Sequence, residues 1–127
     1  MKHTTIETQM YSDRLIDHFR NPRNVGELPP PAQTVEASNP VCGDILRLSV
    51  LFDGPVVAEA RYKTRGCTAS IAAGSALTEW LAGKSTQDLR GFDPAAVEDL
   101  VGGLSPESKH AAALCADAVK LLLKFIE

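Results

Sequence analysis

Cysteine is scarce in this chain, with three thiols in 127 residues. That is an odd number and far too few for a secreted disulfide scaffold. A reducing cytoplasm is the expected setting, and the thiols read as chemistry or as core packing. Long apolar runs are missing too. None approaches the ~20 residues that span a bilayer, and the opening MKHTTIETQM lacks the apolar core of a signal peptide, so no membrane role is expected. Nor is there an excess of one charge. Thirteen basic against sixteen acidic residues, interspersed, give a net charge of −3, with no basic stripe for nucleic acid and no acidic tail.

What is present is ordinary for a globular fold, 44% hydrophobic and 23% charged. A chain of this length buries roughly two-thirds of its unfolded surface, so neither metal nor disulfide is needed merely to fold. The expectation is a single domain over residues 1–127, with the polar, unpatterned residues 1–10 as a fraying tail.

The periodicities divide the chain into strands first and helices after. Ser12 caps a short helix to Arg20 with Leu15, Ile16 and Phe19 as its apolar stripe, and Asn21-Pro22 ends it. Residues 21–33 read as an extended, proline-rich loop. Gln33–Ala37 offers an edge strand. Ile45 to Phe52 and Val56 to Tyr62 alternate about Asp53-Gly54, which predicts an antiparallel hairpin over 45–65. A helix rich in small residues follows from Thr68 to Leu81. Ser85 to Asp88 has the pattern of a capping box, Asp93-Pro94 opens another helix, and Ser105-Pro106-Glu107 starts a last one running to about Phe125. The pattern predicts an α+β domain, a small antiparallel sheet (three-stranded with the edge strand) carrying helices on one face.

Two cysteines flank the hairpin. Cys42 stands in Val41-Cys42-Gly43-Asp44 just before its first strand, and Cys67 in Arg65-Gly66-Cys67-Thr68 just after its second. Hairpin register therefore places both thiols at the open end, give or take a bulge. Cys67 also opens a helix, where unpaired amides and the helix dipole favour a thiolate. Each cysteine has a glycine neighbour, which permits close backbone approach. Cys42, Cys67 and Asp44 thus make three potential ligands in one corner, suited to Zn²⁺ or iron.

Candidates for a fourth ligand are His110, His18, His3 and Cys115. His110 and Cys115 stand about 140° apart around one helix. Cys115 shares its stripe with Leu114, Ala118, Val119 and Leu122 and reads as core; His18, near a helix end, reads as structural; His3 lies in the tail. Small neighbours (Ala111 to Ala113) leave His110 room to bind a metal, although spacing alone favours simple exposure. No histidine spacing suggests a triad with the serines of 68–78, and no Gly-Lys-Ser/Thr ending makes a phosphate loop.

Taken together, Tyr11-Ser-Asp-Arg-Leu-Ile-Asp-His-Phe-Arg-Asn-Pro-Arg-Asn-Val-Gly26, Cys42-Gly43-Asp44 and Arg61-Tyr-Lys-Thr-Arg-Gly-Cys67 resemble the IscU/NifU N-terminal family of iron–sulfur cluster assembly scaffolds. The resemblance runs from Tyr11 to Lys120. It implies a scaffold, not an enzyme, that receives sulfur from a cysteine desulfurase, builds a [2Fe–2S] cluster and passes it to acceptor apoproteins, holding zinc when free of cluster. It also implies a site of Cys42, Asp44, Cys67 and His110, in which the hard aspartate oxygen weakens the grip and permits release.

The chain departs from the family in three places. His110-Ala111 replaces the usual His-Cys, so the third thiol is absent from its expected position. Leu104-Ser-Pro-Glu-Ser108 replaces the Leu-Pro-Pro-Val-Lys that a dedicated chaperone recognises, so that partner is not implied. The insertion of the zinc-dependent SufU branch is missing. A site one thiol short is compatible with a cluster bridged between two chains. It is compatible also with an alternative role, a zinc-bound sulfur acceptor that stimulates a desulfurase without holding a cluster.

Overall fold

The computed structural model describes residues 11–41 and 43–126. Cys42, His3 and the tail expected over residues 1–10 lie outside the described residues. The elements are α1 (Asp13–Arg20), β1 (Gln33–Ser38), β2 (Ile45–Asp53), β3 (Val56–Arg65), α2 (Thr68–Leu81), α3 (Thr86–Arg90), α4 (Pro94–Leu100), a 3-10 turn (Pro106–Ser108) and α5 (Lys109–Ile126). No helix among the described residues is long and apolar enough to cross a membrane.

The strands lie in the order β1-β2-β3, antiparallel throughout. Alternation decides which face is covered. Val35, Ala37, Leu46, Leu48, Val50, Ala60 and Tyr62 point to one side and are buried. The other side carries Glu36, Arg47, Arg61 and Lys63, with Arg47 paired to Glu27 and Glu36. A bulge between Leu51 and Phe52 absorbs the odd residue of the hairpin and leaves Ile45 opposite Arg65 at its open end.

Helix α2 packs on β3 and α5 on β1 and β2, so both helices cover the apolar face. Side chains such as Leu48, Leu77 and Leu122, all fully buried, each contribute about 1.5–3 kcal/mol through burial. The small residues of α2 make close packing possible. A Cβ on Gly74 would come within 2.5 Å of the Tyr62 ring, whose hydroxyl donates to the Ile71 carbonyl at 2.8 Å.

The expected last helix differs at its start. Proline at 106 and the Ser108 N–H to Ser105 carbonyl bond (2.9 Å) wind residues 106–108 as a 3-10 turn, and the α-helix begins at Lys109. His110 consequently sits in its first turn.

Helix α1 also differs in which face is buried. Leu15 is buried as expected, but His18 joins it and Phe19 is 39% exposed. The reason is a polar seam between α1 and α2. The Arg23 backbone N–H donates to Ser75 Oγ at 2.9 Å, which leaves the serine hydroxyl to donate to His18 Nδ1 at 2.8 Å. Arg23 Nη1 also approaches Nδ1, at 3.1 Å, and Nε2 faces Glu79 at 3.6 Å. With Nδ1 accepting, the imidazole is neutral and carries its proton on Nε2.

Burial and then the Arg23 charge push the His18 pKa below its ordinary 6.5, against the pull of Glu79 and Asp17. Because the unfolded chain takes up this proton first on acidification, stability is lost as pH falls from about 6.5 through the lower folded value. Urea unfolding at pH 7.5 and pH 5 should show a smaller acid loss for His18→Gln than for wild type. An equal loss in the two proteins would remove His18 from the account.

Candidate metal-binding site

The open end of the hairpin is built by turn geometry. Asn39 donates its N–H to the Asp44 carbonyl at 2.9 Å and accepts from Gly43 N–H at 2.7 Å, which closes the connection from β1 to β2. Gly43 adopts φ +79° with open space around its Cα, so glycine serves the turn here and not a close approach. Gly66 is the opposite case. Its Cα faces the Asp44 carboxyl, and a Cβ there would lie 2.6 Å from Cγ.

Cys67 is the N-cap residue of α2 and makes no side-chain cap bond of its own. Instead its backbone N–H points to Asp44 Oδ2, at 3.4 Å. Ser70, one turn into the helix, donates its hydroxyl to the same oxygen at 2.7 Å. The carboxylate of a neighbouring loop therefore occupies the electropositive end of α2.

His110 completes the corner from α5. Its Nε2 lies 3.3 Å from Cys67 Sγ and 3.4 Å from Asp44 Oδ2, with 26% of the side chain exposed. Asp44, Cys67 and His110 each offer one ligand atom, and these atoms all lie within 4.8 Å of one another. Asp44 is buried while Cys67 and His110 are half-buried, so an ion has access from solvent. A borderline imidazole, a soft thiolate and a hard carboxylate suit Zn²⁺ or iron and leave room for a fourth donor.

The other histidine and cysteine candidates fall elsewhere. Cys115 is buried in the core, and burial alone pushes its thiol up to about 12, which leaves it inert as a ligand. His18 is held in the α1–α2 seam by Ser75. Ala111, next to His110, is fully buried. Cys42 lies outside the described residues. Sequence reasoning passed over Ser70 as one more small residue of α2; its position three after Cys67 was the only available signal.

The NifU-like N terminal domain family matches residues 10–125. The chain belongs to this family. It is 36% identical over 111 residues to the iron-sulfur cluster assembly scaffold protein IscU 1 of Archaeoglobus fulgidus, covering 87% of this chain and 72% of that one. To the IscU scaffold protein of Azotobacter vinelandii it is 34% identical over 118 residues, covering 90% and 91%. Among solved structures, a putative iron-sulfur cluster assembly scaffold protein for the SUF system from Fervidobacterium islandicum superposes with a TM-score of 0.75 at 21% identity, covering 91% of this chain and 97% of that one.

At that identity the superposition speaks for the fold, which is the α+β NifU-like arrangement of a three-stranded antiparallel sheet with helices on one face. The relatives' names speak for iron–sulfur cluster assembly by scaffold proteins. Within the NifU-like chain, the corner of Asp44, Cys67 and His110 is the group of donors close enough to share an ion among the described residues.

Proposed function

We propose that the chain is a scaffold on which [2Fe–2S] clusters are assembled with sulfur from a cysteine desulfurase and from which they pass to apoproteins in the cytoplasm. The cluster is held by Cys42, Asp44, Cys67 and His110, and zinc takes the same ligands when no cluster is present. The observation that carries this reading is the meeting of one thiol, one imidazole and one carboxylate within 4.8 Å, in a chain whose relatives are named scaffolds.

The chemistry of the set fits cargo that must leave. Thiolate grips iron firmly, whereas a carboxylate oxygen and an imidazole bind it less tightly, so exchange with a fully thiolate acceptor runs downhill. Histidine on one iron also raises the reduction potential. The chain performs no further bond-making reaction in this reading, which makes it a carrier and not an enzyme.

Anaerobic reconstitution with ferrous iron, cysteine and a desulfurase tests the proposal. The expected result is visible absorption between roughly 320 and 460 nm, typical of thiolate-ligated clusters, which decays as an apo-ferredoxin gains colour. A chain that stays colourless with stoichiometric zinc, yet stimulates desulfurase turnover, would overturn it in favour of the zinc-bound sulfur acceptor.

A further inference from the structure

We infer that Ser70 is a positioning residue for this site: its hydroxyl fixes the Asp44 carboxylate in the orientation that a metal meets. The inference rests on the proposed function for its biological use, but its geometry stands apart from it. Ser70 is 2% exposed and its hydroxyl lies 2.7 Å from Asp44 Oδ2, in the range of strong hydrogen bonds to carboxylate. The backbone N–H of Cys67 and Nε2 of His110 stand farther from that oxygen, both at 3.4 Å. Ser70 Oγ is also 3.5 Å from Cys67 Sγ, so one hydroxyl touches both a carboxylate and a thiol of the donor set.

The arrangement resembles a capping box opened out in space. In a local box the third helical residue reaches back to the N-cap N–H. Here the side chain at that third position, Ser70, reaches the Asp44 carboxylate, which stands before the N-cap N–H of Cys67. The carboxylate thereby sits between a backbone donor and a side-chain donor, with the Gly66 Cα against its other side. Hydroxyl donation has two opposed effects on a ligand oxygen. It draws electron density away from the metal, and it removes the freedom of the carboxylate to turn aside. Partners of this kind typically change metal affinity roughly 10–100-fold, which makes orientation the larger effect.

A double-mutant cycle on zinc affinity tests the inference, with affinities read by competition with chromophoric chelators. Ser70→Ala is expected to weaken zinc binding by roughly 10–100-fold in the wild-type background and to have a much smaller effect once Asp44→Ala is present, the remainder coming from its longer contact with Cys67. In cobalt-substituted protein, Ser70→Ala should shift the d–d bands, which report coordination geometry, while the thiolate-to-cobalt band persists. Urea unfolding of each metal-free variant separates these readings from any loss of fold. Equal affinity of wild type and Ser70→Ala, or an equal loss with and without Asp44, would overturn the inference. Failure to build a transferable cluster would sink the proposed function but leave the zinc cycle decisive for Ser70. A flat cycle in a chain that does build one would do the reverse.

Discussion

Cys67→Ala is expected to weaken zinc binding by about 100-fold or more and to prevent a cluster from being retained after reconstitution. Zinc sites of small domains bind with about 10–16 kcal/mol over four ligands, or about 3 kcal/mol per ligand, and roughly 1.4 kcal/mol is a factor of ten. Cys67 carries the thiol of the described donor set, at the N-cap of helix α2. The contrast with Cys115→Ala sharpens the test. Burial pushes the Cys115 thiol up to about 12, so its removal should cost core packing while zinc affinity stays as in wild type. Chelator competition on the two variants decides the matter. Comparable losses would mean that the core cysteine moves into the site.

Gly66→Ala should damage stability and binding together. The added Cβ would lie 2.6 Å from Asp44 Cγ, 2.7 Å from Oδ2 and 3.0 Å from Oδ1. The carboxylate is buried and bonded to Ser70, so it has no cheap way to retreat. Overpacking of this sort costs about 1–3 kcal/mol, and any displacement of Asp44 also removes a metal donor. Gly54→Ala supplies the control at the far end of the hairpin. Gly54 has open space around it but a φ of +62°, so alanine there should cost about 1–2 kcal/mol of backbone strain and leave zinc affinity unchanged. Urea midpoints and chelator competition read both quantities. Retention of wild-type zinc affinity by Gly66→Ala would show that Asp44 is not held where the site needs it.

Much of this architecture is legible in the sequence because local chemistry and tertiary packing agree. The caps at Ser12, Ser85 and Asp93 each make the side-chain bond that their position predicts. Alternation about Asp53-Gly54 gives the hairpin and the face it buries. Where reading fails, a tertiary partner has overridden a local rule. The stripe of α1 predicts Phe19 inside, but Ser75 and Arg23 reward a buried imidazole at 18, which no spacing within α1 reveals. Proline at 106 reads as the first residue of an α-helix, whereas the chain takes a tighter 3-10 turn before α5.

The candidate site divides in the same way. Register brings Asp44 beside Gly66 and Cys67, because positions about equally far from one turn come together once the bulge at Leu51/Phe52 takes up the odd residue. His110 comes from a helix more than forty residues away and is brought to Cys67 by the packing of α5 on β1 and β2. Spacing alone favoured exposure for it; the family resemblance implied its place in the set. Ser70 was invisible because a serine in a run of alanines reads as small before it reads as polar. The two glycines look alike in sequence, yet Gly43 answers a positive φ and Gly66 a close contact. That difference lies in three dimensions.

X-ray absorption at the zinc edge of the zinc-loaded chain tests the central claim most directly, because it counts the donors without presupposing a cluster. The account predicts a mixed first shell, two sulfurs at about 2.3 Å from Cys67 and Cys42 and two nitrogen or oxygen donors at about 2.0–2.1 Å from His110 and Asp44. In Asp44→Ala the two sulfurs should remain while water takes the vacated light-donor position. A shell of three or four sulfurs, or one with none, would contradict the claim that these four residues form the site.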